Sequence, residues 1–159
     1  SPTPPWVIIS GYVAGGMVRG IVIGLLVIIV AAFFSPLPLT HPLIILLFLI
    51  LSSLIFSLAG LVNGIYAKSF DGITIVPTFV LTPLVYLGGV FYSAQALPPL
   101  WQKMTYADPI FYLVNGFRAG FMGFSDISLA ASLGVLGVLT AILVAINWYF
   151  IHTGLGLRQ

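Results

Sequence analysis

An all-α integral membrane protein is predicted, with about four transmembrane helices and a re-entrant helical hairpin before the last of them. Three observations predict it. Hydrophobic residues make up 60% of the chain and charged ones only 5%, a composition that no water-soluble domain of this length can carry on its surface. The apolar residues gather into runs of about twenty or more, the length that crosses a bilayer as a helix, and clusters of proline, glycine and the few charges separate them. One stretch, residues 93–128, is too polar in places to cross and too apolar for an ordinary loop. Residues 1–159 are therefore read as a single membrane domain with short loops.

The first helix is expected over residues 6–34. It is longer than a simple crossing needs, so it should enter obliquely or bend, and its single charge is Arg19. Gly16, Gly20 and Gly24 recur every fourth residue, which lets another helix backbone approach closely. The segment 35–42 holds three prolines and cannot continue a helix, so it forms a tight connection at a membrane face. Residues 43–66 form the second helix, free of charge from Leu43 to Val62.

A short polar loop carrying Lys68 and Asp71 precedes the third helix, residues 73–92. Pro77 and Pro83 should kink it, because each proline removes a backbone hydrogen bond. Neighbouring helices or hydroxyls must then satisfy the freed carbonyls, and Thr78 and Thr82 are at hand. Residues 97–124 read as the re-entrant hairpin. Pro98 and Pro99 open its first short helix, and Asp108-Pro109 opens the second, with Asp108 as the N-cap and Pro109 at the first helical position. The last helix covers residues 129–151, with Asn147 available to bond across helices and Trp148 and Tyr149 marking an interface.

Few side chains could carry chemistry. Arg19 is the clear ionisable candidate within a crossing, although its guanidinium can snorkel to the interface if the true span begins near it. Phe111, Asn115 and Arg118 share one face of the second half-helix, beside an aromatic face of Phe117, Phe121 and Phe124. That polar face either lines a pathway or fixes the hairpin's depth, Asp108 capping the helix and Arg118 pairing with Asp108 or a lipid headgroup. His41 and His152 have no second ligand at metal spacing, so no metal site is expected. There is no phosphate-binding Gly-x-x-x-x-Gly-Lys-Ser/Thr loop, no His-Glu-x-x-His pair and no Gly-x-Ser-x-Gly elbow, and catalysis by this chain alone is not expected. The net charge of +2 is too small to suggest nucleic acid. The absence of cysteine rules out disulfides and thiolate chemistry. The opening Ser1-Pro2-Thr3-Pro4-Pro5 lacks both an initiator Met and a basic leader, as expected of a fragment whose N-terminal part is missing.

The run Asp108-Pro109-Ile110-Phe111-Tyr112-Leu113-Val114-Asn115-Gly116-Phe117-Arg118 is similar to the Asn/Asp-Pro, aromatic, Gly-x-Arg stretch of the permease subunit of ABC-2 type (type V) ATP-binding-cassette exporters. Gly88-Gly89-Val90-Phe91-Tyr92-Ser93 followed by Leu97-Pro98 resembles the end of that family's penultimate helix. The resemblance extends over the chain as the last four of six helices. It implies a multi-pass protein of the bacterial inner membrane, its chain ends cytoplasmic, that dimerises with a second permease copy among membrane lipids. It also implies an ABC ATPase partner that holds ATP and Mg, no cofactor being expected in this chain. The family's coupling helix would precede Ser1, leaving Lys68 and Asp71 as a cytoplasmic contact, while Asp108, Pro109, Asn115 and Arg118 would shape an outer gate or pathway. The alternative is a non-transporting membrane scaffold or assembly subunit, whose apolar helices and small-residue stripes would look the same.

Overall fold

The computed structural model describes residues 4–67 and 70–154. Lys68 and Arg158 lie outside the described residues, and Asp71 is described in its backbone alone. Helices α1 (Pro5–Phe34), α2 (Pro42–Tyr66) and α7 (Leu129–Thr153) are long and apolar enough to cross a membrane. Between α2 and α7 lie α3 (Phe70–Ile75), a π-helical turn (Val76–Leu81), α4 (Thr82–Leu87), a 3₁₀ turn (Ala94–Ala96), α5 (Pro99–Ala107) and α6 (Pro109–Met122). No strand occurs among the described residues, so the chain is an all-α membrane protein.

The glycine stripe of α1 decides how the first two helices meet. A Cβ on Gly20 would come 2.8 Å from Ser53 Oγ, and one on Gly16 or Gly24 would collide with Ser57 or Leu49. Absent side chains on α1 thus receive a Leu49–Ser53–Ser57 ridge of α2, bringing the backbones close enough for Ser57 Oγ to donate to the Val13 carbonyl at 3.2 Å. These contacts run in opposite directions along the two helices, as the short 35–41 connection requires.

Helix α6 lies against α2 by the same device. A Cβ on Gly120 would stand 2.6 Å from Ile45 Cγ1, and one on Gly116 would enter the ring of Phe48. Phe48 is completely buried and forms the core with Ile55, Leu113 and Leu136. Helix α7 closes the bundle, and Asn147 Nδ2 donates across to the Leu58 carbonyl of α2 at 3.1 Å, the inter-helix bond expected of a lone intramembrane amide.

The expected third crossing is helical from Phe70 but ends at Leu87, short of Tyr92. Gly88 and Gly89, the latter at φ 75°, turn the chain there, and Tyr92 Oη donates to the Leu87 carbonyl at 2.9 Å. Between the two prolines the helix widens into the π turn rather than simply losing bonds. The carbonyl of Ile73, deprived of its partner by Pro77, instead accepts from Asn63 Nδ2 of α2 at 3.0 Å. Thr82 Oγ1 donates to the Pro77 carbonyl at 3.2 Å. The Pro77 carbonyl already accepts the Thr82 N–H, so of the freed carbonyls Ile73 O is met by an amide from the neighbouring helix, not by the expected hydroxyl.

Candidate functional site

The hairpin α5–α6 is built by proline and an acid. Pro99 fixes the first turn of α5, and Asp108 ends α5 while capping α6, its Oδ1 accepting from the Ile110 N–H at 2.8 Å. Pro109 follows at the first helical position, where no backbone donor is needed. The other carboxylate oxygen is buried without a partner. Replacing Asp108 by alanine is expected to lower stability by about 1 kcal/mol, with asparagine recovering most of it. Thermal unfolding in mild detergent measures both, and an unchanged alanine variant would exclude the cap.

At the other end of α6 the last carbonyls need donors. Thr40 Oγ1 donates to Phe121 O at 2.9 Å and the His41 N–H to Gly120 O at 2.8 Å. Gly123, at φ 77°, then terminates the helix in the left-handed conformation that glycine adopts without strain. The end of the hairpin and the 35–41 connection therefore meet at one end of the bundle. Helix α6 rises about 1.5 Å per residue, which places its Asp108 end roughly 20 Å from there, deep beside the middle of α2.

Arg118 and Asn115 hold the hairpin to the rest of the bundle. Arg118 pairs with Asp126 at 2.7 Å, their side chains only 12% and 5% exposed. Its other terminal nitrogen donates to the carbonyls of Gly89 at 2.6 Å and Tyr92 at 3.2 Å. Asp126 also accepts from Ser93 Oγ at 2.8 Å and from the Ala94 N–H at 3.1 Å. Asn115 is fully buried. Its Oδ1 accepts from the Asp126 N–H at 2.8 Å, and its Nδ2 donates to Ile127 O at 3.0 Å and Ser132 Oγ at 2.9 Å. One polar knot thus joins the turn after α4, the body of α6 and the start of α7.

The expected pairing of Arg118 with Asp108 is corrected: Asp126 is the partner. Ten residues of helix separate Arg118 from Asp108, about 15 Å, whereas the turn at Gly123 folds Asp126 back over α6. Asp126 was not singled out in the sequence, although it is the acid nearest Arg118 once α6 stops at a glycine. Gly116 and Gly120 were missed too, despite the same four-residue spacing as the α1 stripe. The four residues proposed for the gate do not converge on one cavity: Asp108 and Pro109 lie at the inner elbow, Asn115 and Arg118 in the knot above.

Arg19 stands apart from that knot. The contacts Gly24–Leu49, Gly20–Ser53 and Gly16–Ser57 set a register in which Arg19 lies level with Leu54, near the middle of the charge-free stretch of α2. Arg19 lines a cavity of about 980 Å³ between α1, α2, α4 and α6, together with Tyr12, Ser53, Phe56 and Leu113. Among the described residues no group of three or more potential metal ligands occurs.

The ABC-2 type transporter family matches residues 1–122. The chain is 49% identical over 159 residues to the inner membrane transport permease YadH of Escherichia coli K12, covering all of this chain and 62% of the relative. The inner membrane transport permease YadH of Shigella flexneri shows the same identity and coverage. Nodulation protein J of Neorhizobium galegae is 26% identical over 86 residues, 54% of this chain and 33% of that protein. The chain thus spans 62% of the length of the permeases it matches throughout. No solved structure matches it.

Proposed function

Because the chain belongs to the ABC-2 type transporter family, we propose that it forms part of an inner-membrane export permease, one half of a dimer driven by a separate ABC ATPase subunit. The observation that carries this reading is the 49% identity to a transport permease along the whole chain. ATP and Mg belong to the partner, since this chain has no loop to cradle a nucleotide phosphate. The chain ends face the cytoplasm, and the segment around Lys68 and Asp71 contributes a cytoplasmic contact with the ATPase.

ATP closes the ATPase dimer, the permease halves rotate, and the pathway between them opens outward. Coupling requires ATP to favour one of the two states over the other. In this mechanism the α5–α6 hairpin, from Asp108 and Pro109 to Asn115 and Arg118, shapes the outer gate. The polar knot supports that role, because a gate must move as a rigid piece and the knot binds three segments into one. Gly16, Gly20 and Gly24 let α1 follow α2, and Pro77 and Pro83 set the course of the helix between the cytoplasmic contact and the gate.

The test is to purify the full-length protein from membranes in mild detergent and identify co-purifying chains by mass spectrometry. A stoichiometric ABC ATPase subunit is expected. Its reproducible absence, with the permease intact, would overturn the exporter reading in favour of a membrane scaffold.

A further inference from the structure

The elbow between α5 and α6 buries more polar chemistry than its hydrogen bonds account for. Asp108, 3% exposed, ends α5 and opens α6, outside the three helices long enough to cross a membrane. Its Oδ1 is taken by the Ile110 N–H, whereas Oδ2 is buried without a partner. Thr105, one turn back on α5 and completely buried, adds a hydroxyl oxygen in the same state. A carboxylate buried on these terms needs a counterion or several donors, and it is costly without them. Among the described residues neither Arg19 of α1, which borders the same groove as Ile110, nor any other cation pairs with Asp108; the ion pair is Arg118–Asp126, farther along α6. Lys103 of α5 is exposed. The other titratable groups of the elements packed here are tyrosines. Tyr112 Oη of α6 donates to Tyr106 O of α5 at 2.7 Å, and Tyr106 Oη accepts from Gln102 Nε2 at 3.4 Å. Beyond α4, Tyr92 Oη donates to the carbonyls of Tyr86 and Leu87, and the Tyr86 side chain is exposed.

A hydrogen on Oδ2 removes the difficulty. It takes the charge away, leaves Oδ1 to go on accepting the cap bond from Ile110, and adds a donor to an elbow where Thr105 Oγ1 has no partner. Burial acts in the same direction, disfavouring the charged form more strongly than the single cap bond favours it. We propose that the α5–α6 elbow is a proton-binding site, in which Asp108 stays neutral at pH values that ionise an exposed aspartate and releases its proton when the elbow opens to water. An acid at a helix N-terminus ordinarily works ionised, and this one works as a neutral acceptor. By linkage, any motion that wets Asp108 becomes easier as pH rises. Asp108 heads the helix that carries Asn115 and Arg118, so the permease reading turns the site into a pH-sensitive gate, and that consequence alone rests on it.

Equilibrium unfolding of the full-length protein in mild detergent is followed against pH beside Asp108→Asn, which keeps the acceptor and mimics the neutral acid. From about pH 4, where the unfolded carboxyl ionises, the unfolded chain gives up a proton that the folded protein keeps. The unfolding constant of the wild type is therefore expected to rise relative to that of Asp108→Asn by about tenfold per pH unit, until the folded carboxyl ionises as well. A ratio that stays constant, or that moves in favour of the wild type as pH rises, would overturn the proposal. Infrared spectroscopy of the wild type asks the same question without depending on how the variant folds. With isotope-labelled aspartate, a shifted carbonyl band of a protonated carboxylic acid is expected in the folded protein at about pH 5.5, where exposed carboxyls are ionised, and Asp108→Asn should lack it. A folded wild type whose labelled aspartates are all carboxylates would overturn the proposal and give Oδ2 a bound cation or water instead. A band that persists undiminished in Asp108→Asn would overturn it too. Neither measurement involves the ATPase or a cargo, so their failure is distinguishable from failure of the exporter reading, which co-purification tests.

Discussion

Replacing Asp126 by alanine is expected to destabilise the bundle by about 3–5 kcal/mol, the cost of leaving a buried charge without its counterion. Arg118 would keep the carbonyls of Gly89 and Tyr92 but lose the only anion beside it among the described residues. Ser93 Oγ and the Ala94 N–H would lose their acceptor in the same stroke. Asp126→Asn should fall between, since it keeps an acceptor and loses the charge. The double variant Arg118→Met with Asp126→Leu should lose less than the two single losses added together, because no buried charge is then stranded. Equilibrium unfolding in mild detergent gives the comparison, and an Asp126→Ala variant within about 0.5 kcal/mol of wild type would show that the ion pair contributes nothing. Under the gate proposal, Arg118→Ala also impairs export while the ATPase subunit still co-purifies. Unchanged export would remove Arg118 from the gate.

Gly116→Leu is expected to be nearly as damaging, for the opposite reason. The new side chain would enter the ring of Phe48, which is completely buried at the centre of the core. Neither helix can retreat freely, because Gly120 rests on Ile45 and the α6 carbonyls are held by Thr40 and His41. Overpacking of this kind costs about 1–3 kcal/mol, and more where the backbone must move. Phe48→Ala in the same chain should restore part of the loss by opening the space. Gly137→Leu on α7 serves as the control, since a side chain there meets nothing within 4 Å. Equal stability of Gly116→Leu and Gly137→Leu would refute the close contact between α6 and α2.

Much of this was legible from single residues and their spacing. The caps at Asp108 and Pro109, the packing stripe on α1 and the inter-helix bond of Asn147 follow from rules that act within one turn of helix. The π turn was only half legible. Two prolines announced that carbonyls would be freed, but the donor to Ile73 is Asn63 on another helix, and nothing in the spacing of the prolines identifies it.

Hydropathy by itself determined that this is an all-α membrane protein, since every backbone polar group within the hydrocarbon must be satisfied inside its own segment. Proline, glycine and the caps Asp108 and Ser128 determined many of the helix ends, because their effects on the backbone are local. Only the tertiary structure decided that Arg118 pairs with Asp126 and that Arg19 lines a groove, level with Leu54 of α2. Both depend on the rotation and axial offset of one helix against another. Those are set by the sum of many side-chain contacts, here glycines meeting Leu49, Ser53, Ser57 and Phe48, and no single residue encodes that sum.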